Sequence, residues 1–292
     1  MEAAAEYRIV KLANGTHSVH SLAYHETFHP VVGPVAEAEA LYVRQLQLVE
    51  RLQRHQGDFV LWDVGLGAAA NPLTALRAMR GIRCSIHLLS FDHTLEPLAF
   101  ALRHCDALGY LGGYEQHLER LLHDSHCAFE DGPQTVKWEV HQADFPGLLT
   151  QPAARGFAKP HVIMFDAFSP ATNPAMWTQP LFANLFRLLA PDRPCALPTY
   201  SRSTMLRVTL LLAGFYVGVG HATGEKEETT IAANTLGLIA EPLDWRWLER
   251  ARRSSSAEPL WEPEYRQARL AAATWEKLQQ HPQFSLETAV AR

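Results

Sequence analysis

Four apolar runs in this chain each lead to an aspartate, and that recurrence limits the fold more than any other feature. Phe59-Val-Leu-Trp62 runs into Asp63, and Cys84-Ser-Ile-His-Leu-Leu-Ser-Phe91 into Asp92. Val136-Lys-Trp-Glu-Val140 is followed by Asp144, and His161-Val-Ile-Met-Phe165 by Asp166. Short apolar runs bounded by turn residues suit strands buried in a parallel sheet. The step from Asp63 to Asp92 has the length of one strand–helix–strand unit. Open α/β sheets place their chemistry outside the carboxyl ends of their strands. One acid after a strand is usually a helix cap. Four in succession set carboxylates along one edge of a sheet, which favours a ligand rich in hydroxyl and amine donors, such as a nucleoside.

The first of these strands runs into Asp63-Val-Gly65-Leu-Gly67-Ala-Ala-Ala-Asn71, and Pro72 to Met79 then reads as a helix. Strand, acid-x-Gly-x-Gly and helix bring backbone close to a nucleotide-like ligand. A tight strand-to-helix turn is the plainer reading. Asp92, at the end of the second strand, could accept hydrogen bonds from both hydroxyls of a ribose. Its plainer reading is a cap for a helix over 95–108. Asp166 opens a loop with two prolines, Asp166-Ala-Phe-Ser-Pro-Ala-Thr-Asn-Pro-Ala-Met-Trp177. That position predicts a reacting group.

The remaining chain fills out an alternating pattern. Residues 1–24 read as irregular with a turn at Ala13-Asn-Gly15. Residues 35–54 read as one amphipathic helix, with Ala38, Leu41, Tyr42, Leu48, Val49 and Leu52 at helical spacing. Helices are predicted over 114–123, 174–189, 203–213, 244–253 and 264–281. Further strands are predicted over 195–200 and 215–219, with an antiparallel seventh reaching Ala233. Pro198 is awkward for a central strand. The expected organisation is an N-terminal segment and helix (1–57), a Rossmann-like core (58–240) and a C-terminal helical extension (241–292). The extension carries Arg246, Arg250, Arg252 and Arg253 among Trp245, Trp247 and Trp261. Such interleaving suits contact with RNA or, more plainly, a solvated amphipathic helix.

Composition excludes some classes. The chain has 292 residues, 47% hydrophobic and 20% charged, which is ordinary for a globular protein. No apolar run approaches the length of a membrane span and the N-terminus does not read as a signal peptide, so a cytoplasmic protein is expected. Cysteines 84, 105, 127 and 195 are scattered and read as reduced thiols. A net charge of −5 gives no global attraction to nucleic acid, so such a partner would need a local basic patch. His25-Glu26-x-x-His29 matches the zinc-hydrolase string, but Pro30 and Gly33-Pro34 oppose the helix that string requires. His123, His126 and Cys127 lack a fourth ligand at zinc spacing. No metal is expected.

The pattern as a whole resembles a class I S-adenosylmethionine-dependent methyltransferase. Asp166-Ala-Phe-Ser-Pro-Ala-Thr-Asn-Pro-Ala-Met-Trp-Thr178 is similar to the loop of the MnmC-type tRNA methyltransferase domain, which completes 5-methylaminomethyl-2-thiouridine at the wobble position. Tyr24-His-Glu26-Thr-Phe-His29, Gly224-Glu-Lys226-Glu-Glu-Thr-Thr and Ser255-Ser-Ala-Glu-Pro-Leu260 resemble further segments of that family. The resemblance implies a mostly parallel seven-stranded sheet with helices on both faces, and a stand-alone methyltransferase domain without the oxidase domain of some relatives. It implies S-adenosylmethionine held by Asp63, Gly65, Gly67, Asn71, Asp92 and Asp144. It implies Asp166 as the catalytic group, and Glu26, His29, Phe168, Pro170, Asn173, Trp177 and Lys226 on a tRNA substrate. The sequence departs from the family at the glycine loop, where Ala68-Ala69 replace Thr-Gly, at Pro30 and at Glu227. These departures keep open another amine acceptor or a non-catalytic cofactor-binding protein.

Overall fold

A computed structural model describes residues 6–224 and 227–285. The chain divides into two compact units. The first comprises Met1–Phe145, Val162–Asp166 and Ala222–Glu227, and the second Pro146–His161, Ala167–His221 and Glu228–Arg292.

The first unit is built on strands β4 (Asp58–Val64), β5 (Ser85–Asp92), β6 (His126–Asp131), β7 (Gln134–Gln142) and β8 (Val162–Phe165), in the order β8-β4-β5-β7-β6. All neighbours are parallel except the β6–β7 hairpin. Trp62, Val64, Leu88, Ile163, Met164 and Phe165 are fully buried, as expected of strands covered on both faces. Helices α3 (Ala70–Met79), α4 (Glu96–Arg103), α5 (Cys105–Leu108) and α6 (Glu115–Asp124) follow the strands. The helix predicted over 95–108 is two pieces, broken at His104, whose Nδ1 lies 2.8 Å from the Phe100 carbonyl oxygen.

Two further expectations for this unit are corrected. Residues 7–27 are regular: β1 (Tyr7–Lys11), β2 (His17–Ser21) and β3 (Glu26–Thr27) form a small antiparallel sheet. The hairpin turn falls where Asn14-Gly15 predicted it, with Gly15 left-handed at φ +87°. The predicted helix over 35–54 is α1 (Pro34–Ala38), a wider π turn over 39–44, and α2 (Leu48–Gln53). Gln47, at φ +47°, breaks the ladder between them.

In the second unit β9 (Ala196–Thr199), β10 (Tyr216–Gly220) and β11 (Thr229–Ala233) are antiparallel, with β11 central. Pro198 sits opposite Ile231. Helices α7 (Phe145–Thr150), α8 (Gln179–Leu188), α9 (Thr204–Ala213), α10 (Trp245–Arg253) and α11 (Ala272–Gln279) complete it. Thr178, Ser203 and Asp244 cap α8, α9 and α10 by accepting backbone N–H bonds. The helix expected over 264–281 begins only at Ala272. Glu258 accepts bonds from the Ala271 amide (2.9 Å) and the Thr274 hydroxyl (2.8 Å), which fixes the start there. The two units thus carry five and three strands of this kind, one more than the seven expected. The extra one is β6, His126-Cys-Ala-Phe-Glu-Asp131, whose burial alternates along a run with only Cys127 and Phe129 as larger apolar residues. Among the described residues no helix is long and apolar enough to cross a membrane.

Candidate active site

Backbone register brings four strand ends together in the first unit. The Asp166 amide donates to Val64 O (2.9 Å), the Gly65 amide to Phe91 O (2.9 Å) and the Ala143 amide to Asp92 O (2.8 Å). Between β4 and α3 the chain turns through three left-handed residues, Gly65 (φ +93°), Gly67 (φ +51°) and Ala69 (φ +61°). A side chain at Gly67 would also come within 3.1 Å of the Phe28 ring. Ala69 holds this conformation without glycine's freedom, at a cost of about 1–2 kcal/mol.

Asp92 pins the loop. Its Oδ2 accepts from the Gly67 amide at 2.9 Å. Its Oδ1 accepts from the Thr94 amide at 3.3 Å and lies 3.1 Å from His93 Nδ1. The Asp92 hydrogen bond raises the His93 pKa. Asp144, exposed two residues beyond β7, adds to the negative field at His93.

Asp63 lies beneath the loop with none of its surface exposed. Ser90 Oγ donates to its Oδ2 at 2.8 Å and itself accepts from Trp138 Nε1 at 3.0 Å. Asp63 Oδ1 is buried without a hydrogen-bond partner. Burial, opposed by the Ser90 bond and reinforced by the charges of Asp166 and Asp92, pushes its pKa up to about 8. The expectation of a direct cofactor contact from Asp63 is therefore corrected. The carboxyl is closed to solvent, with one oxygen held by Ser90.

Asp166 is partly open and tied to two side chains distant in sequence. Asn71 Nδ2 donates to its Oδ2 at 2.7 Å, and His29 Nε2 lies 3.6 Å from the same oxygen. The other ring nitrogen of His29 lies 3.9 Å from Glu37 Oε2, and Glu37 is buried. Asn71, expected on the cofactor, is thus joined to the residue expected to be catalytic, and its own Oδ1 is buried without a partner. Glu26 is half-buried in β3. The His25-to-His29 string makes no helical turn: Glu26 and Thr27 pair with β2, and His25 and His29 are both left-handed. The i, i+4 geometry of a zinc-hydrolase helix is absent.

The loop beyond Asp166 belongs to the second unit, where Phe168, Pro170 and Asn173 are half-buried. The Ser169 carbonyl accepts from the amides of Thr172 (3.0 Å) and Asn173 (2.8 Å). Trp177 was expected against the substrate, but its side chain is fully buried. Its Nε1 donates to the Phe168 carbonyl at 2.7 Å, so it holds the loop's shape. Lys226 lies outside the described residues. The sequence reading missed Ser90 and His93. A serine inside the apolar run Leu88-Leu-Ser-Phe91 was the available signal for the first.

These groups suit a ligand with a nucleoside, a carboxylate and positive charge. The charges of Asp92 and Asp166, which help to hold Asp63 protonated, would be relieved by a cation. The amino end of α3 suits a carboxylate. The buried, unpartnered oxygens of Asp63 and Asn71 mark where polar compensation is lacking. S-adenosylmethionine carries all of these features, and the residues fit it.

Known proteins of similar sequence and fold point the same way. Residues 114–235 match the family model described as S-adenosyl-L-methionine-dependent methyltransferase. The fold superposes on the crystal structure of MNMC2 from Aquifex aeolicus with a TM-score of 0.68, at 20% identity, covering 96% of this chain and 84% of that one. The bifunctional protein MnmC, for tRNA 5-methylaminomethyl-2-thiouridine biosynthesis, of Aeromonas hydrophila is 28% identical over 215 residues, covering 66% of this chain. That of Stutzerimonas stutzeri is 26% identical over 239 residues, covering 79%. The chain spans only 30% and 35% of those relatives' lengths. By fold and by the match over residues 114–235 the chain is similar to class I S-adenosylmethionine-dependent methyltransferases. Within that class its similarity is to the MnmC-type methyltransferase domain.

Proposed function

We propose that this chain methylates the aminomethyl group of a modified wobble uridine in tRNA. The observation that carries the reading is the partly open Asp166 carboxylate at the end of β8, held by Asn71 at 2.7 Å and facing His29 at 3.6 Å. The similarity to MnmC-type relatives supports the acceptor.

S-adenosylmethionine, when bound, supplies a sulfonium methyl: the N–C bond forms as the S–C bond breaks, and the amine gives up its proton. Asp92 would hold the ribose hydroxyls, Asp144 the adenine amino group, and Gly65 and Gly67 would give the methionine part access to backbone.

Asp166 would receive the acceptor. A primary amine is mostly protonated at neutral pH and must expose its lone pair. A carboxylate that accepts an N–H bond orients the amine and eases proton loss. Asn71 keeps that carboxylate in one rotamer, and His29 backed by Glu37 offers the proton a route away. Most of the acceleration comes from alignment, because the sulfonium is already activated. Trp177 would hold the loop that carries Phe168, Pro170 and Asn173. Glu26 would lie on the substrate side.

Mass spectrometry of tRNA nucleosides from cells lacking the protein tests the acceptor. Accumulation of an unmethylated aminomethyl uridine is expected. An unchanged wobble nucleoside would sink the assignment.

A further inference from the structure

The second unit contains a cavity of about 510 Å³ that the methyl-transfer chemistry does not use. Its lining includes Arg202, Arg207, Glu228, Asp244, Trp247 and Arg250. Arg207 is buried and fully engaged. Its Nε donates to Thr230 Oγ1 (3.0 Å), one Nη to Thr229 O (2.8 Å), and the other pairs with Glu228 at 3.1 Å. Burial lowers its pKa, and the nearby charges of Arg202 and Arg250 lower it further against the pull of Glu228. Three guanidinium groups therefore converge on one place.

Arg202 and Arg250 are exposed, and neither makes a hydrogen bond or ion pair among the described residues. Glu228 is committed to Arg207, and Asp244 caps α10 through the Trp247 amide at 2.7 Å. Glu241 is the remaining acid of the lining.

The basic surface continues along α10. Arg246, Arg250 and Arg253, spaced i, i+4 and i+7, share one exposed face, while Trp247, Leu248 and Ala251 bury the other. The helix holds four arginines against one glutamate in a chain whose net charge is −5. An ordinary solvated helix interleaves both signs. Here an arginine from another segment, Arg202, joins the same patch.

We propose that Arg202, Arg246, Arg250 and Arg253 form a docking surface for the phosphates of an RNA backbone. This deepens the tRNA reading and rests on it. Guanidinium groups bind phosphate bidentately, and such contacts supply affinity and register without reading bases. Exposed arginines beside an already neutralised Arg207 provide the positive charge that the chain lacks overall.

The test is binding of a labelled unmodified tRNA anticodon stem-loop over a range of salt concentrations. The wild-type chain is compared with the fourfold Arg→Ala and fourfold Arg→Lys variants at 202, 246, 250 and 253. Removing one arginine–phosphate pairing lowers the log–log salt slope by about one, so the alanine variant should show a slope about three to four units shallower. It should also bind at least tenfold more weakly at low salt, with unchanged S-adenosylmethionine affinity. The lysine variant should keep most of the slope. Wild-type binding that the alanine variant reproduces would overturn the docking surface and leave the tRNA reading intact. Failure of the wild-type chain to bind RNA would overturn both.

Discussion

Asp63→Asn should make this protein's stability less sensitive to pH, by an amount that the structure sets. The carboxyl is fully buried, with one oxygen held by Ser90 and the other unpartnered, and its pKa stands at about 8 against 3.8 for an unperturbed aspartate. Between these values the folded chain holds a proton that the unfolded chain has released. Stability therefore falls as pH rises from about 4 to about 8, and the loss is complete above the folded pKa. Each pH unit in that window is worth about 1.4 kcal/mol. Asparagine has the same shape and no titration. Its amide leaves two N–H donors unpartnered against the one O–H of the protonated carboxyl, a cost that does not change with pH, so the variant cancels the slope. Thermal unfolding at pH 5, 6, 7 and 8 is the assay. The variant's advantage over wild type should grow by about 3 °C per pH unit, taking about 2 °C per kcal/mol for a chain of this size. A variant-minus-wild-type difference that stays constant from pH 5 to pH 8 would refute the assignment of a buried, neutral Asp63.

His281 predicts the opposite limb. It is buried beside Phe284 and Tyr216, and burial lowers its pKa to about 4. The unfolded chain takes up a proton below about 6.5 that the folded chain refuses down to about 4, so its contribution is lost as pH falls through that window. Denaturant titrations at pH 7 and pH 4 should show a cost approaching about 3 kcal/mol that His281→Gln reduces; equal pH dependence in the two proteins would contradict it. Asn71→Ala should lower kcat by about tenfold or more, the value of a hydrogen bond to a charged group, while leaving S-adenosylmethionine affinity within about twofold. A loss confined to cofactor affinity would instead return Asn71 to the cofactor.

The sheet of the first unit was legible in the sequence because β4, β5 and β8 are short, mostly apolar runs that need burial on both faces. The glycine loop and the strand-end acids followed from the same pattern. The β1–β2 hairpin was not legible, since His17-Ser-Val-His-Ser21 offers one apolar residue, and Ser18 and Ser21 share its burial. The predicted 35–54 helix failed because a π turn and a left-handed Gln47 keep the same apolar stripe while breaking the hydrogen-bond ladder. Side-chain partnerships lay further out of reach. Asn71 stands in the cofactor loop by sequence, yet its amide meets Asp166, 95 positions along the chain. Trp177 was expected on the substrate from the resemblance of its loop. Its indole N–H is instead turned inward to the Phe168 carbonyl.

If Asp166 presents the acceptor to the methyl donor, its replacement must slow transfer without weakening the cofactor. Transfer of a labelled methyl group from S-adenosylmethionine to tRNA bearing the aminomethyl uridine should be followed at saturating cofactor for wild type and Asp166→Asn, with cofactor affinity measured by calorimetry on both. Equal cofactor affinity and at least a hundredfold slower transfer by the variant are expected, within the range general acid–base contributions span. Transfer at the wild-type rate by Asp166→Asn would contradict that role.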